Sequence, residues 1–330
     1  MNHVAIIGDG GWGTALAVVL HNNGHSVRVW GPFADYIAEV QHRHKNEKFL
    51  PGIKLPQDIR WTADKAEAVA GADVVILAVP SRFFRSVLES FAGLIPSPAP
   101  VLSVTKGLDE KTGKRMTEVA EEILKRPVAA LSGPSLAAEV ARGVPTAVTI
   151  ACTDRPTAKA LQDLLMNPSF RVYTSDDVIG VEIGGALKNI IAIAAGVCDG
   201  ISFGDNTKAA LITRGLAEIT RLGCALGAHS ATFAGLSGMG DLVVTCASRL
   251  SRNHSVGERL GRGESIEQIL KSMEQVSEGV WTCATARALA KQHGVEVPIT
   301  EEVYAVIHEG KDPRAAVRDL MGRDPKAERE

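Results

Sequence analysis

The 330-residue chain predicts an α/β protein. A mainly parallel sheet with its helices is expected in residues 1–178, followed by an all-α domain in residues 179–330. Three observations lead there. Short apolar runs alternate with helical stretches through the first half, the pattern of repeated strand–helix–strand units. One of these runs, Ala72–Val79 (ADVVILAV), is apolar on both faces, as a central parallel strand must be when helices cover it above and below. After Thr174 the strand pattern stops, and from Gly180 the chain reads as helices joined by short loops. The length also fits two domains at about one per 150 residues.

The first strand, Val4–Ile7, runs into Gly8-Asp9-Gly10-Gly11-Trp12-Gly13. A helical run, Thr14–Leu20, follows and is closed by Asn22, Asn23 and Gly24; a second strand spans Val27–Trp30. This is a G-x-G-x-x-G turn in the setting it requires. Gly8 allows the tight turn, Gly10 lets a pyrophosphate approach the backbone, and Gly13 lets the helix pack on the strand. The free N–H groups of the helix start then face the phosphates. The first domain is therefore expected to be of Rossmann type and to bind a dinucleotide. Recognition of NAD usually places an acid at the end of the second strand, against the ribose. Here the strand ends Trp30-Gly31-Pro32-Phe33, and Asp35 comes later. No Arg or Lys stands at the tip to mark NADP either, so NAD or NADP is open. Further strands are expected at Ile59–Thr62, Val101–Val104, Val128–Leu131, Ala147–Ala151 and Arg171–Tyr173. Ligands of an open parallel sheet bind beyond the carboxyl ends of its strands. Gly8, Pro80, Lys106 and Ser135 all fall there.

The helical half opens on Gly180–Gly200, GVEIGGALKNIIAIAAGVCDG. Ile183, Leu187, Ile190, Ile191, Ile193 and Ala194 leave almost no polar face, so this helix should be buried. Lys188 sits in its middle with Asn189 beside it. A lysine is rarely buried unless paired, and burial lowers its pKa. That suits an amine that gives and takes a proton; a lysine snorkelling to the surface at a domain junction is the other reading. Glu182, Lys188 and Asn189 interrupt the run and make it a core helix rather than a membrane span. Thr207–Leu226 is amphipathic through Ile212, Leu216, Ile219, Leu222 and Leu226. Arg214, Glu218 and Arg221 read as a salt-bridged surface on another of its faces. The glycine-dense Gly235–Asp241 should break the helices and present Asp241. Ser251-Arg252-Asn253 follows as loop sequence, where an arginine fork beside small polar side chains suits a phosphate. Pro298-Ile299-Thr300 precedes another amphipathic helix, and residues 326–330 should fray.

Composition excludes several partners. A net charge of −2 gives no strong field for nucleic acid or an anionic membrane. The start, MNHVAIIG, enters a strand directly and lacks the pattern of a secretion signal. The cysteines, Cys152, Cys198, Cys224, Cys246 and Cys283, are odd in number and form no C-x-x-C pair. They argue against a zinc knuckle or disulfide framework and for a reducing cytoplasm. His42 and His44, in the polar run QHRHKNEK, have no Cys or Asp cluster to complete a metal site. The run reads as a solvated loop or helix face, and no metal is expected.

Taken in order along the chain, the motifs resemble those of the bacterial NAD(P)-dependent glycerol-3-phosphate dehydrogenases. They are GDGGWGTAL (Gly8–Leu16), VP (Val79–Pro80), VTKGL (Val104–Leu108), SGPSLAAE (Ser132–Glu139) and GVEIGGALKNIIAIAAG (Gly180–Gly196). NTKAALITRGLAE (Asn206–Glu218), GLSGMGDLVVTC (Gly235–Cys246), SRN (Ser251–Asn253), VSEG (Val276–Gly279) and PITEEVY (Pro298–Tyr304) follow. GGALKN and GDLVVTC with SRN are specific to that family; the glycine fingerprint is not. The resemblance implies reversible hydride transfer between NAD(P)H and C2 of dihydroxyacetone phosphate, giving sn-glycerol 3-phosphate for phospholipid synthesis. It implies Lys188 as the catalytic lysine, with Lys106 touching substrate and cofactor and Asp241 orienting either Lys188 or a substrate hydroxyl. Gly133, Ser135, Lys188, Asp241, Ser251, Arg252 and Asn253 match substrate-binding positions, with Arg252 and Asn253 at the phosphate. Gly11, Trp12, Lys106, Ala137, Arg252, Val276 and Glu278 match cofactor positions beside Gly8, Gly10 and Gly13. The family is usually a homodimer. Many of its members carry His or Arg soon after the second strand, near the adenosine ribose. Gly31 and Pro32 stand there in this chain, which leaves recognition of a 2′-phosphate open.

Two other readings share parts of this pattern. Dehydrogenases of 3-hydroxy or sugar acids have the same fingerprint and often a lysine, but Lys106 and Ser251–Asn253 favour a phosphate-bearing ketone. A nucleotide sensor would keep Gly8, Gly10 and Gly13 without needing Lys188, Asp241 and Arg252 together.

Overall fold

The computed structural model describes residues 1–273, 276–325, 327 and 328. Residues 326, 329 and 330, in the stretch expected to fray, lie outside the described residues. Among the described residues eight strands form: β1 (His3–Ile7), β2 (Ser26–Trp30), β3 (Arg60–Thr62), β4 (Val74–Leu77), β5 (Val101–Ser103), β6 (Ala129–Ser132), β7 (Thr146–Ala151) and β8 (Phe170–Ser175). They make one sheet in the order β3-β2-β1-β4-β5-β6-β7-β8. Strands β1 to β6 are parallel, β7 is antiparallel to β6, and β8 is parallel to β7. Successive side chains of a strand point to opposite faces. In β1, Val4 and Ile6 enter one core while Ala5 and Ile7 enter another; Val74 and Ile76 of β4 divide from Val75 and Leu77 in the same way. This is why the central runs are apolar throughout.

The chain leaves β1 toward β2 and β3, then crosses back to β4 on the other side of β1. The strand order therefore reverses between β1 and β4, where the glycine turn lies. Gly8 has φ +122°, and a Cβ there would collide with the carbonyl oxygen of Ala78 just past β4. The helix Gly11–Asn22 starts directly after it. The run QHRHKNEK is solvated as expected except at Asn46. Asn46 is fully buried, donating to the Asp9 carbonyl at 2.7 Å and to Thr14 Oγ1 at 2.8 Å. Its Oδ1 accepts from Tyr36 at 2.6 Å and from the Phe49 N–H at 3.2 Å. The loop is thus folded down onto the glycine turn. His42 stays exposed, and His44 closes its helix in the left-handed conformation.

Among the described residues every element from Val178 onward is helical. The helix Val178–Gly200 is the centre of this half and is buried along almost its whole length. It is long and apolar enough to cross a bilayer, but 83% of its most apolar window is packed inside the protein. Asp177 caps its start by accepting from the Gly180 N–H at 2.9 Å. Helix Arg252–Gly261 crosses it so closely that Cβ atoms at Gly196 or Gly257 would strike the opposing backbone.

Two expectations are corrected here. Glu218 does not belong to a salt-bridged surface: it is 2% exposed and accepts from the N–H groups of Ile299 (2.8 Å) and Thr300 (2.9 Å) and from Thr300 Oγ1 (2.6 Å). It satisfies the orphan donors at the start of helix Pro298–His308. Arg214 and Arg221 turn to the backbone carbonyls of Glu328 and Glu296. Gly235–Asp241 breaks the helices at Gly235 alone, whose extended backbone follows helix Ser230–Phe233. Leu236–Gly240 is a π-helical turn that passes into helix Asp241–Ala247, with the Gly240 N–H bonded to the Gly235 carbonyl five residues back at 3.1 Å.

Candidate active site

Two lysines and one aspartate meet where the carboxyl edge of the sheet abuts the helix Val178–Gly200. Lys188 is 6% exposed, so it does not snorkel to the surface. Its ammonium donates to Asp241 Oδ1 and, at 2.8 Å, to Thr245 Oγ1. Asp241 is 1% exposed. Its Oδ2 accepts from Lys106 Nζ at 2.8 Å and lies 3.4 Å from Ser132 Oγ. Lys106, on the loop after β5, also donates to the Gly133 carbonyl at 2.9 Å and to Ser135 Oγ at 3.2 Å. The sequence permits this convergence through the pair Gly184-Gly185. A Cβ at Gly185 would collide with Ser132 Oγ, and one at Gly184 would stand 2.5 Å from the Ser237 carbonyl. Without side chains there, both the end of β6 and the π turn close on the helix within one turn of Lys188.

The electrostatics follow from burial. Desolvation lowers the Lys188 pKa to about 7, and the like charge of Lys106 adds to the effect while Asp241 opposes it. Burial alone would raise the Asp241 carboxyl, but the two ammonium groups outweigh it and hold the pKa below the ordinary value. At neutral pH the aspartate is charged while Lys188 stands near half protonation. A buried amine so poised can deliver a proton to an oxygen and recover it.

The remaining expected positions form three further groups. In the glycine turn, Gly10 precedes a helix with no acid in its first turn. A Cβ at Gly10 would meet nothing within 4 Å, so the turn is open on that face. Gly11 abuts the Phe49 carbonyl and Ala137, and Gly13 fits against the Gly8 carbonyl. Trp12 is half-buried, 6.4 Å from the Phe170 ring, and its Nε1 has no hydrogen-bond partner among the described residues. An open turn with free helix N–H groups fits the phosphates of a dinucleotide. Second, Glu278 accepts from the Ser81 N–H at 3.0 Å and from Ser81 Oγ, tying the helical half to the helix after β4, beside Gly107. Third, Ser251-Arg252-Asn253 is a helix start and not a loop. Ser251 caps it by accepting from the His254 N–H at 3.2 Å. Arg252 is exposed and donates to the Val276 carbonyl at 2.8 Å. The amide of Asn253 is engaged internally, donating to Asn189 at 2.9 Å and accepting from Ser277 Oγ at 2.6 Å and the Gly279 N–H at 2.9 Å.

Thr245 was absent from the residues expected at the site. It lies four residues after Asp241 on one helix, which places both on one face, and that spacing was readable. Ser132 carried no such signal. Among the described residues no group of three or more His, Cys, Asp or Glu side chains could hold a metal.

An open dinucleotide turn at the switch in strand order, with a buried, aspartate-held lysine beyond the neighbouring strands, defines the class: a nicotinamide-dependent dehydrogenase. Residues 3–158 match the N-terminal model of NAD-dependent glycerol-3-phosphate dehydrogenase and residues 177–318 match the C-terminal model. The chain belongs to the NAD-dependent glycerol-3-phosphate dehydrogenase family. It is 51% identical to glycerol-3-phosphate dehydrogenase [NAD(P)+] of Geobacillus kaustophilus over 332 residues, covering 99% of this chain and 96% of that one. It is also 51% identical to the enzyme of the same name from Moorella thermoacetica, covering 97% and 96%. The crystal structure of glycerol-3-phosphate dehydrogenase from Coxiella burnetii superimposes with a TM-score of 0.95 at 40% identity, covering 98% of this chain and 99% of that chain.

Proposed function

We propose that the chain interconverts dihydroxyacetone phosphate and sn-glycerol 3-phosphate, with residues 1–178 holding the coenzyme and residues 179–330 the substrate and catalytic machinery. When bound, NAD(P)H supplies the hydride. As C2 is reduced its oxygen gains charge, and Lys188 delivers the proton; in the reverse direction Lys188 takes it. The observation that carries this reading is the buried Lys188 amine, at about pKa 7, held on Asp241 and Thr245. Asp241 positions both amines, and Lys106 with Ser135 and Gly133 receives the substrate's polar end. Arg252, exposed at the start of helix Arg252–Gly261, holds the phosphate. Val276 and Glu278 line the coenzyme side with Gly8, Gly10, Gly11, Trp12, Gly13 and Ala137. The protein acts in the cytoplasm as a homodimer and supplies glycerol 3-phosphate for phospholipid synthesis.

The direction of proton transfer sets the pH dependence. Reduction needs protonated Lys188, so its kcat/KM falls as pH rises through about 7. Oxidation needs the free amine, so its kcat/KM falls as pH drops through the same value. Profiles taken in both directions at saturating coenzyme check this; a reductive profile flat between those limbs removes Lys188 as donor. Arg252→Ala should raise KM for dihydroxyacetone phosphate roughly 10- to 100-fold, the worth of a charged hydrogen-bonding partner, with a smaller change in kcat. Unphosphorylated dihydroxyacetone serves as control. An unchanged KM takes Arg252 out of the phosphate site.

A further inference from the structure

We propose that Asp9 is the coenzyme-selecting acid of this protein. Its carboxylate, supplied by the glycine turn and not by the end of β2, accepts from the adenosine ribose hydroxyls and repels a 2′-phosphate, so that NADH is bound in preference to NADPH. The proposal rests on the dehydrogenase reading and concerns the coenzyme choice that reading leaves open.

The argument begins with register. Ile7 of β1 pairs with Trp30 of β2, so Gly31 sits at the strand tip directly beside the turn. The Gly8 N–H bonds the Trp30 carbonyl at 2.9 Å, and the Gly31 N–H bonds the Thr62 carbonyl at 3.2 Å. The tip of β2 is the place from which an acid ordinarily reaches the ribose. A Cβ built on Gly31 would stand 2.6 Å from the carboxyl carbon of Asp9 and 2.7 Å from its Oδ2. A side chain at residue 31 would therefore meet the Asp9 carboxylate and Ile37 Cδ1, and both would have to shift. The Asp9 carboxylate thus lies, with Ile37, in the volume in which a tip acid would begin.

The carboxylate is met by the Asp9 backbone N–H and by the charge of Lys48, but its Oδ2 is left without a donor among the described residues. Asn46 and Thr14 hold the Asp9 backbone carbonyl, at 2.7 and 3.2 Å, and not its side chain. Asp9 is 7% exposed, and its Oδ2 is buried with no hydrogen-bond partner among the described residues. A buried carboxylate oxygen without a donor is costly, and a ribose diol offers two O–H donors at the point where the strand ends. Burial raises the Asp9 pKa to about 6, with Lys48 opposing the rise, so the group is mainly ionised at neutral pH. A 2′-phosphate would bring a second negative charge against it. The cation on this rim is Lys48, whose ammonium lies 5.8 Å from the Phe33 ring and 5.2 Å from the Phe49 ring.

Direct binding tests the proposal apart from turnover. NADH, NADPH, ADP-ribose and 2′-phospho-ADP-ribose are titrated calorimetrically into the full chain and into Asp9→Asn and Asp9→Ser variants. The wild type should bind NADH and ADP-ribose at least tenfold more tightly than their 2′-phosphorylated counterparts. Both variants should lose about tenfold for the unphosphorylated ligands and bring the ratio close to one. The double variant Asp9→Gly with Gly31→Asp, which moves the acid to the tip of β2, should restore the preference. Unchanged affinities in folded Asp9→Asn and Asp9→Ser overturn the proposal, as does a wild type that favours NADPH, which would transfer selection to Lys48. A wild type that binds neither nucleotide overturns the dehydrogenase reading itself.

Discussion

Replacing Lys188 with methionine is expected to lower kcat about a hundredfold to ten-thousandfold, the range that one general acid–base group contributes, while NADH binds with nearly wild-type affinity. Methionine keeps most of the volume, so the neighbours Leu187 and Ile191 keep their packing in the apolar core. The change also removes a desolvated ammonium from a site that lowers its pKa to about 7. Asp241 retains Lys106 as a partner at 2.8 Å, so no buried charge is left alone. Stability should therefore hold while turnover collapses. Single-turnover reduction of dihydroxyacetone phosphate, beside calorimetric titration of NADH and a thermal melt, separates these effects. Retention of more than a few per cent of wild-type kcat would show that another group delivers the proton.

Asp241→Asn should be more damaging, because it strikes fold and chemistry together. The aspartate is the counter-ion shared by two ammonium groups, one buried and one nearly so. Removing one partner of a buried ion pair costs about 3–5 kcal/mol, since the remaining charge stays desolvated. Here two like charges would face each other across a neutral amide. The protein relieves this by deprotonating Lys188, whose pKa must fall below its present value once the opposing carboxylate is gone. At neutral pH the amine would then be neutral, and reduction would lose its donor. The expected result is a lower denaturation midpoint together with a reductive rate that recovers only at acid pH. Adding Lys106→Met should return much of the stability without the activity, because it removes the repulsion but also a substrate contact. An Asp241→Asn protein as stable as the wild type would mean that the carboxylate is not what neutralises the pair.

The sheet was legible because its signals are local. Strand runs such as Ala72–Val79, and a glycine turn between strand and helix, report burial on both faces and a tight approach whatever surrounds them. Lys188 was legible as an anomaly, a cation in an apolar helix, although only the packing of Asp241 and Thr245 decided that it is buried and not snorkelling. Glu218 was not legible. Its spacing from Arg214 and Arg221 is the same whether the helix face meets water or the start of another helix, and the donors it satisfies lie some eighty residues away at Ile299 and Thr300. Asn46 was hidden in a charged run for the same reason: one buried amide among solvated neighbours leaves composition unchanged. Glycine disfavours helices on average, which marks Gly235–Asp241 as a breaker, and that holds only at Gly235. Here contact decides, since a Cβ at Gly238 would strike the backbone of Phe233.

That π turn also fixes how Asp241 is aimed. A helix advances about 100° per residue, so it works as an angular index as much as a scaffold. The wider turn at Leu236–Gly240 takes up one residue more than an α-turn would and so offsets everything after it by about a quarter of a rotation. Asp241 and Thr245 inherit that offset together. A chain shortened by one glycine here would keep Lys106, Lys188, Asp241 and Thr245, yet would turn the carboxylate away from both lysines. The extra residue is thus a setting of phase, invisible to composition and to motif.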